Sequence, residues 1–201
     1  MTTRTEVHEY WKNPWDGANL PEVYLEGAPR SEFLVKLIQR YVSNDRTILE
    51  IGCNVGRNLY YLWNAGYRRL SGVEISERAL DLLRKQFPHM ASESRICNAP
   101  IEEAIGSFKD TEFDVVFTMA VLEHIHTESE WIFPEIARIT KELLVTIEDE
   151  HGESWRHFPR DYRPIFEPLG FVETEALQCT DVAGLGNDFM ARLFHKRTCL
   201  P

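Results

Sequence analysis

The chain has 201 residues, 43% of them hydrophobic, and a formal net charge of −10. This length and hydrophobic content predict one domain, residues 1–201, with an ample core. The acidic balance disfavours nucleic acid as a partner, because such binding draws on Lys and Arg contacts with phosphates. No apolar run approaches the ~20 residues of a membrane span, and the N-terminus has no apolar signal segment. We therefore expect a cytoplasmic protein without a membrane partner.

The four cysteines are scattered through the chain and show neither C-x-x-C spacing nor the Cys/His spacing of a zinc site. This pattern predicts reduced thiols and no metal site. The residues concerned are Cys53, Cys97, Cys179 and Cys199.

Residues 1–30 are predicted to form an aromatic N-terminal arm that precedes a core of residues 31–201. The segment Tyr10–Tyr24 contains Pro14, Gly17 and Pro21, which make it too irregular for a long helix. Its large rings either pack the arm onto the domain or help it to close over a ligand as a lid. These rings belong to Tyr10, Trp11, Trp15 and Tyr24.

The segment Thr47–Leu62, TILEIGCNVGRNLYYL, contains a strand, a glycine loop and the start of a helix. Backbone N–H groups of such a loop point into the crevice above the carboxyl end of the strand, where open α/β sheets bind ligands. Gly52 permits a sharp turn and close approach of a ligand, and Gly56 can adopt positive φ. A helix is predicted before this strand, with Ser31 as its N-cap.

A second strand, LSGVEIS, ends on Glu74, about 20 residues beyond the glycine loop. A carboxylate at that place can accept hydrogen bonds from both ribose hydroxyls of a nucleoside. The loop is not a G-x-G-x-x-G motif, because Asn54 replaces the second glycine, and it lacks the G-K-[ST] of a P-loop. The residues themselves thus predict a nucleoside-containing ligand at the edge of a sheet.

The rest of the chain alternates helix and strand patterns. Ser76 and Thr127 are predicted N-caps of two helices, and Pro134 must lie early in the second. Further strands are predicted at Ser94–Cys97, Phe113–Thr118, Lys141–Ile147, Phe171–Gln178 and Asp188–Lys196, with a short helix at Asp161–Leu169. This order predicts an α/β fold with a seven-stranded, mostly parallel sheet, an antiparallel C-terminal hairpin and helices on both faces.

The glycine loop resembles the E/D-x-G-x-x-x-G loop of class I S-adenosylmethionine-dependent methyltransferases, and FDVVFTMAVLEHI at Phe113–Ile125 resembles their fourth strand and the following turn. The similarity extends from about Thr47 to Ile147 and implies a Rossmann-like fold with S-adenosylmethionine as cofactor. Glu50 would lie near the ammonium of the cofactor, and Asn98 would meet the adenine amino group or would simply cap a helix. The implied cofactor residues are Glu50, Gly52, Cys53, Asn54, Gly56, Asn58, Glu74, Ile75, Asn98, Ala99, Met119 and Ala120.

Two segments, Tyr10–Tyr24 and Glu148–Arg163, are expected to form the acceptor pocket. His124 is the candidate general base, because histidine titrates near neutral pH; alternatively it packs at the sheet edge. The second segment is either a solvated loop or a basic cluster that pairs with an anionic acceptor. The predicted substrate-binding residues are Tyr10, Trp11, Trp15, Tyr24, His124, Glu148, Arg156 and Arg160.

These features predict an enzyme, a monomer or homodimer, that methylates oxygen or nitrogen of a small and conceivably anionic metabolite. The alternatives are methylation of a protein or tRNA side group, and a non-catalytic S-adenosylmethionine-binding protein. The sequence also predicts that Glu74→Ala weakens cofactor binding while leaving the melting temperature of the ligand-free protein nearly unchanged.

Overall fold

A computed structural model describes residues 2–197 and contains a seven-stranded sheet in the order β3-β2-β1-β4-β5-β7-β6. Strands β1 to β5 pair in parallel, and β7 lies antiparallel to both β5 and β6. The predicted fold class is confirmed. The strands are β1 Thr47–Ile51, β2 Arg69–Glu74, β3 Arg95–Asn98, β4 Phe113–Met119, β5 Thr140–Asp149, β6 Phe171–Gln178 and β7 Phe189–Lys196.

Eight α-helices and five 3₁₀ turns connect the strands within residues 2–197. The helices are α1 Arg4–Lys12, α2 Ala28–Gln39, α3 Arg57–Asn64, α4 Glu77–Gln86, α5 Pro88–Glu93, α6 Ile101–Ala104, α7 Ile132–Ile139 and α8 Arg163–Phe166. The 3₁₀ turns are Pro21–Leu25, Ile105–Ser107, Leu122–His124, Thr127–Ser129 and Glu167–Leu169.

Two apolar clusters, one on each face of the sheet, hold the domain together. Ile48 of β1 packs in one cluster with the apolar residues of α2, α3 and α4, whereas Leu49 packs in the other with those of α6, α7 and α8. Neighbouring strand residues enter different cores because successive side chains of a strand point to opposite faces. Helices therefore cover both faces, as the continuous apolar runs of the strands predict.

The strand order reverses between β1 and β4, because β2 and β3 lie on one side of β1 and β4 on the other. At such a point the connections leave in opposite directions and open a crevice at the carboxyl ends of the strands. The glycine loop after β1 and the turn after β4 border this crevice, and the candidate site lies there.

Several predicted boundaries differ from the structure. Helix α2 begins at Ala28 after Gly27, so Ser31 lies inside the helix instead of capping it. The helix starts earlier because proline is favoured in a first turn, and Pro29 occupies that turn. Helix α1 was not predicted, although Thr3 and Glu6 form a capping box that marks its start.

Helix α4 ends before Pro88 as predicted, and a further helix, α5, begins at that proline. Ser76 caps α4 as predicted, accepting from the N–H of Ala79. Pro134 lies in the first turn of α7, where its missing N–H costs no helical hydrogen bond. Strand β5 is longer than predicted, and Glu148 belongs to it. Among residues 2–197, no helix has the length and apolarity to cross a membrane.

Candidate functional site

A pocket of roughly 1150 Å³, part of it open to solvent, lies above the carboxyl ends of β1, β2 and β4. Its floor comes from the glycine loop and the ends of these strands, and the N-terminal arm forms its opposite wall. The arm contributes Val7, His8, Trp11, Pro14, Asn19, Pro21 and Tyr24.

Gly52 brings the loop after β1 against the turn after β4. Its φ is +72°, and a Cβ built on it would lie 2.4 Å from Cγ2 of Val121. Only glycine fits such a backbone at that separation. The N–H groups of Gly52 and Cys53 both donate to the carbonyl of Val73, which fixes the loop to the end of β2.

Glu74 holds the glycine loop with its carboxylate. Oε2 accepts from the N–H of Asn54 at 2.8 Å, and Oε1 accepts from the N–H of Ser76 at 2.7 Å. Burial raises the pKa of Glu74, while these N–H donors act in the opposite direction. Each carboxylate oxygen can accept a second hydrogen bond, so Glu74 can still receive ribose hydroxyls in the pocket that it lines.

Glu50 is a buried carboxyl residue of the pocket lining, with an exposed fraction of 2%. Oε1 accepts from Nδ2 of Asn58 at 2.7 Å, whereas the buried Oε2 has no hydrogen-bond partner among the described residues. Burial raises the pKa of Glu50 to about 8. A buried carboxylate oxygen without a donor costs free energy, and an ammonium group in the pocket would satisfy it. These features fit the methionine end of S-adenosylmethionine.

Most of the predicted cofactor residues line this one pocket. They are Glu50, Gly52, Cys53, Asn54, Asn58, Glu74, Ile75, Ala99, Met119 and Ala120. Two lie outside its lining. A Cβ on Gly56 would meet Cδ1 of Leu83 at 2.6 Å, so this glycine lets α3 start close to α4. Asn98 donates from Nδ2 to the carbonyls of Glu74 and Ile75, which positions the end of β2.

On the acceptor side, the structure brings Trp11, Tyr24 and His124 to the pocket. Tyr10 is fully buried beside it and donates its hydroxyl to Asp16. Trp15 is 70% exposed on the outer surface and stacks on Trp155. Neither residue therefore lines the pocket: Tyr10 lies in the interior of the arm, and Trp15 lies on its outer surface.

The three residues predicted from the Glu148–Arg163 segment also lie outside the lining. Glu148 is fully buried and accepts from the N–H of Val121 at 2.8 Å, which orders the turn after β4. Arg160 donates to three carbonyls of the surrounding loops, those of Leu122, Ile125 and Phe158. The guanidinium of Arg156 lies over the rings of Tyr10 and Trp11. Nε of Arg160 also donates to Oε1 of Glu130 at 3.1 Å, so the donors of Arg160 are taken by the backbone and by this carboxylate.

His124 lies in the 3₁₀ turn after β4, against the ring of Trp11 with 4.4 Å between ring centroids. Nδ1 donates to the carbonyl of Arg156 at 2.9 Å, so the lone pair of the neutral imidazole is on Nε2. Burial lowers the pKa of His124 to about 3. Its position suits a general base, but this pKa makes it a weak proton acceptor near neutral pH, and the catalytic role stays a prediction.

Arg30 is a pocket residue that the sequence analysis missed. It lines the pocket from the first turn of α2, and its buried Nε has no hydrogen-bond partner among the described residues. Gly27 and Gly184 leave room for its side chain. Nothing in the local pattern marks Arg30, because its approach to the pocket depends on how α2 packs.

The cysteine in the pocket, Cys53, is not activated as a nucleophile. Cys53, Cys97 and Cys179 are free thiols, and burial raises the pKa of Cys53 well above its ordinary value. A thiol that stays protonated is a poor nucleophile. Cys199 lies outside the described residues.

Comparison with known proteins shows similarity to methyltransferases in both sequence and fold. A sequence model of the family described as "Methyltransferase domain" matches residues 49–143. The mitochondrial ubiquinone biosynthesis O-methyltransferase of Schizosaccharomyces pombe is 27% identical over 139 residues, which cover 67% of this chain and 48% of that protein. The chain thus spans about half the length of the curated relative that it matches.

Solved structures share the whole fold. The magnesium protoporphyrin IX methyltransferase of Synechocystis PCC 6803, solved with bound SAM, superposes with a TM-score of 0.72 at 16% identity, covering 96% of each chain. The 1,6-didemethyltoxoflavin-N1-methyltransferase of Burkholderia thailandensis has a TM-score of 0.70 at 13% identity, covering 96% of this chain and 86% of the other. Identities this low show similarity of fold.

Proposed function

We propose that the chain is a class I S-adenosylmethionine-dependent methyltransferase and that it transfers a methyl group from S-adenosylmethionine to oxygen or nitrogen of a small metabolite. The observation that carries this proposal is the unpartnered Oε2 of Glu50, which faces the same pocket as the Gly52 loop and Glu74. A single ligand that contacts Glu50, the Gly52 loop and Glu74 needs an ammonium group and, further along the molecule, a ribose, and S-adenosylmethionine has both.

The cofactor, when bound, supplies an activated methyl group on sulfur. The chain then has to hold the acceptor in line with that group and keep water away. Glu50 and Glu74 would orient the two ends of the cofactor, while Trp11, Tyr24 and His124 would surround the acceptor from the arm and the turn after β4.

An anionic acceptor is supported by Arg30. Arg30 lines the pocket, its buried Nε has no hydrogen-bond partner among the described residues, and Arg is well suited to bind carboxylate or phosphate. This assignment replaces Arg160 as the anion-binding candidate, and Arg156 remains at the arm beside the pocket.

The remaining parts of the proposal come from composition. A net charge of −10 supports a substrate other than nucleic acid. We place the protein in the cytoplasm as a monomer or homodimer.

Calorimetry with S-adenosylmethionine and S-adenosylhomocysteine tests the cofactor. We expect 1:1 binding of both, and no binding at millimolar concentration would refute the proposal. Turnover is then measured over a panel of small hydroxy, amino and carboxylate compounds. Methylation only of cell protein or RNA would favour the alternative substrates, and binding without any turnover would indicate a non-catalytic binder.

We also predict that the N-terminal arm acts as a lid, chiefly through α1. Arg57 anchors the other end of the arm by donating to the carbonyls of Tyr24 and Glu26 at 2.8 and 2.6 Å. Helix α1 borders the pocket through Val7, His8 and Trp11. S-Adenosylhomocysteine should therefore slow amide hydrogen exchange in α1 by about tenfold, with little change in α2.

Trp11 and Trp15 form a matched pair for this test, because Trp11 lines the pocket and Trp15 lies outside on the same arm. Trp11→Ala should lower kcat by about tenfold or more through looser closure over the acceptor, whereas Trp15→Ala should retain most of the activity. If both variants lose only thermal stability and exchange in α1 ignores the ligand, the arm packs the domain and is no lid.

A further inference from the structure

Three metal-ligating side chains converge at the wall of the acceptor pocket. Glu123 and His124 lie in the turn after β4, and His157 comes from the loop after β5. One ligand atom from each residue lies within 4.8 Å of the other two. Nε2 of His124 and Nε2 of His157 are both 3.4 Å from Oε1 of Glu123.

These separations suit a shared ion better than direct hydrogen bonds. A normal N–H···O bond joins its heavy atoms at about 2.7–3.2 Å. Zinc binds imidazole nitrogen and carboxylate oxygen at about 2.0–2.2 Å, so the edge of a tetrahedron around it is about 3.3–3.5 Å. Both N···O distances of 3.4 Å match such an edge. The imidazole rings of His124 and His157 stack with 4.5 Å between their centroids, so the more exposed His157 has to rotate for both Nε2 lone pairs to point at one ion.

Two other polar atoms of the cluster, on His124 and Glu123, already make hydrogen bonds that orient the ligand atoms. Nδ1 of His124 donates to the carbonyl of Arg156, leaving the Nε2 lone pair on the side of Glu123. Oε2 of Glu123 accepts from the N–H of Asp149, so Oε1 is the oxygen that remains. Such outer hydrogen bonds are what orient metal ligands in proteins.

The three side chains of the cluster differ in their exposure to solvent. The side chain of Glu123 is 4% exposed and that of His124 is 10% exposed, whereas His157 is 22% exposed. An ion could reach the cluster past His157. Since His124 also lines the pocket, the ion would lie where the acceptor is expected.

We propose that Glu123, His124 and His157 bind a divalent transition-metal ion, with zinc as the best match to two imidazoles and one carboxylate. Three protein ligands leave a fourth position open, which an oxygen of the acceptor can occupy. This role for the ion rests on the proposed function, but binding of the ion does not. The expectation of no metal site rested on the spacing of the cysteines and did not consider ligands such as His157 that are far from Glu123 and His124 in sequence.

The test uses the full chain, treated with a chelator and then titrated with Co²⁺ and Zn²⁺. We expect one equivalent of Co²⁺ to give the intense visible absorption of a four-coordinate site, and Zn²⁺ to displace it. His157→Ala should weaken Zn²⁺ binding at least tenfold. His151→Ala is the matched control, because His151 is an exposed histidine of the same loop outside the cluster, and it should bind as the unaltered protein does.

Absence of stoichiometric binding, or equal affinity of His157→Ala, would overturn the proposal. A sulfur-to-cobalt charge-transfer band would do the same, because it would place the ion on a cysteine. If circular dichroism shows that His157→Ala does not fold, the proposal is tested on the Co²⁺ spectrum of the unaltered chain and on Glu123→Gln. Glu123→Gln should then bind Zn²⁺ more weakly than the unaltered chain, and equal affinity would overturn the proposal. Binding of S-adenosylhomocysteine to the chelated protein separates failure of the ion site from failure of the proposed function, because that ligand uses Glu50 and Glu74.

Discussion

Glu50→Gln is expected to weaken binding of S-adenosylhomocysteine by one to two orders of magnitude and to raise the melting temperature of the ligand-free protein. The lost interaction is a charge-assisted hydrogen bond of about 1.5–3 kcal/mol between the carboxylate and the ligand ammonium. Gln keeps an oxygen that accepts from Asn58, so the local packing survives. The gain in stability arises because the variant no longer buries an ionisable group without a partner for Oε2.

The pH dependence of both effects has a defined sign. The pKa of Glu50 is raised from 4.5 to about 8 in the folded protein. Between these values the folded state holds a proton that the unfolded state has lost, so the contribution of Glu50 to stability falls as pH rises from about 4.5 through about 8. Glu50→Gln does not lose stability in this way, so the difference in melting temperature between the variant and the unaltered protein should grow between about pH 4.5 and about pH 8.

Ligand binding should show the opposite trend in this range, because the ammonium pairs with the ionised carboxylate. Affinity for S-adenosylhomocysteine should rise with pH toward 8, and binding at pH 7 should release a proton. Calorimetry in buffers of different ionisation enthalpy measures that proton. Glu153→Gln, at an exposed position, is the control and should change neither quantity. Proton release that persists in Glu50→Gln would assign it to another group.

Glu74→Ala is expected to reduce cofactor affinity at least tenfold and also to destabilise the ligand-free protein. The first effect follows because two ribose hydroxyls lose a charged acceptor, worth about 2–3 kcal/mol. The second follows because the N–H groups of Asn54 and Ser76 lose the carboxylate that they donate to. The structure thus changes the expectation from sequence that only binding would suffer.

Thermal denaturation and calorimetry on the same preparation separate the two effects of Glu74→Ala. Glu77→Ala, an exposed glutamate three residues later in α4, is a suitable control. It should affect stability slightly and cofactor binding not at all. Unchanged affinity of Glu74→Ala would mean that the carboxylate orders the loop without touching the ribose.

The position of the pocket at the edge of the sheet could be predicted because its information is local. Gly52, Gly56 and Glu74 occur at the ends of apolar strands, and parallel strands bring their carboxyl ends to one edge whatever the rest of the chain does. Most residues expected there do line the pocket. Gly56 and Asn98 lie just outside it because they hold neighbouring elements together.

The placement of the N-terminal arm and of the loop after β5 depends on contacts between segments that are distant in sequence, and here the sequence was a poor guide. Charge and aromatic content alone did not tell Trp11, which lines the pocket, from Trp15, which is exposed on the outer surface. Arg160 looked available for an anion, yet it donates to three backbone carbonyls.

The amino-acid sequence by itself determined the sheet, most of its helices and the ligand edge, because strand and helix periodicity and glycine loops act over a few residues. Only the tertiary structure decided that Arg30 reaches the pocket and that His157 meets Glu123 and His124. Those encounters depend on how α2 and the loop after β5 pack against the domain, and no short stretch of sequence encodes that packing.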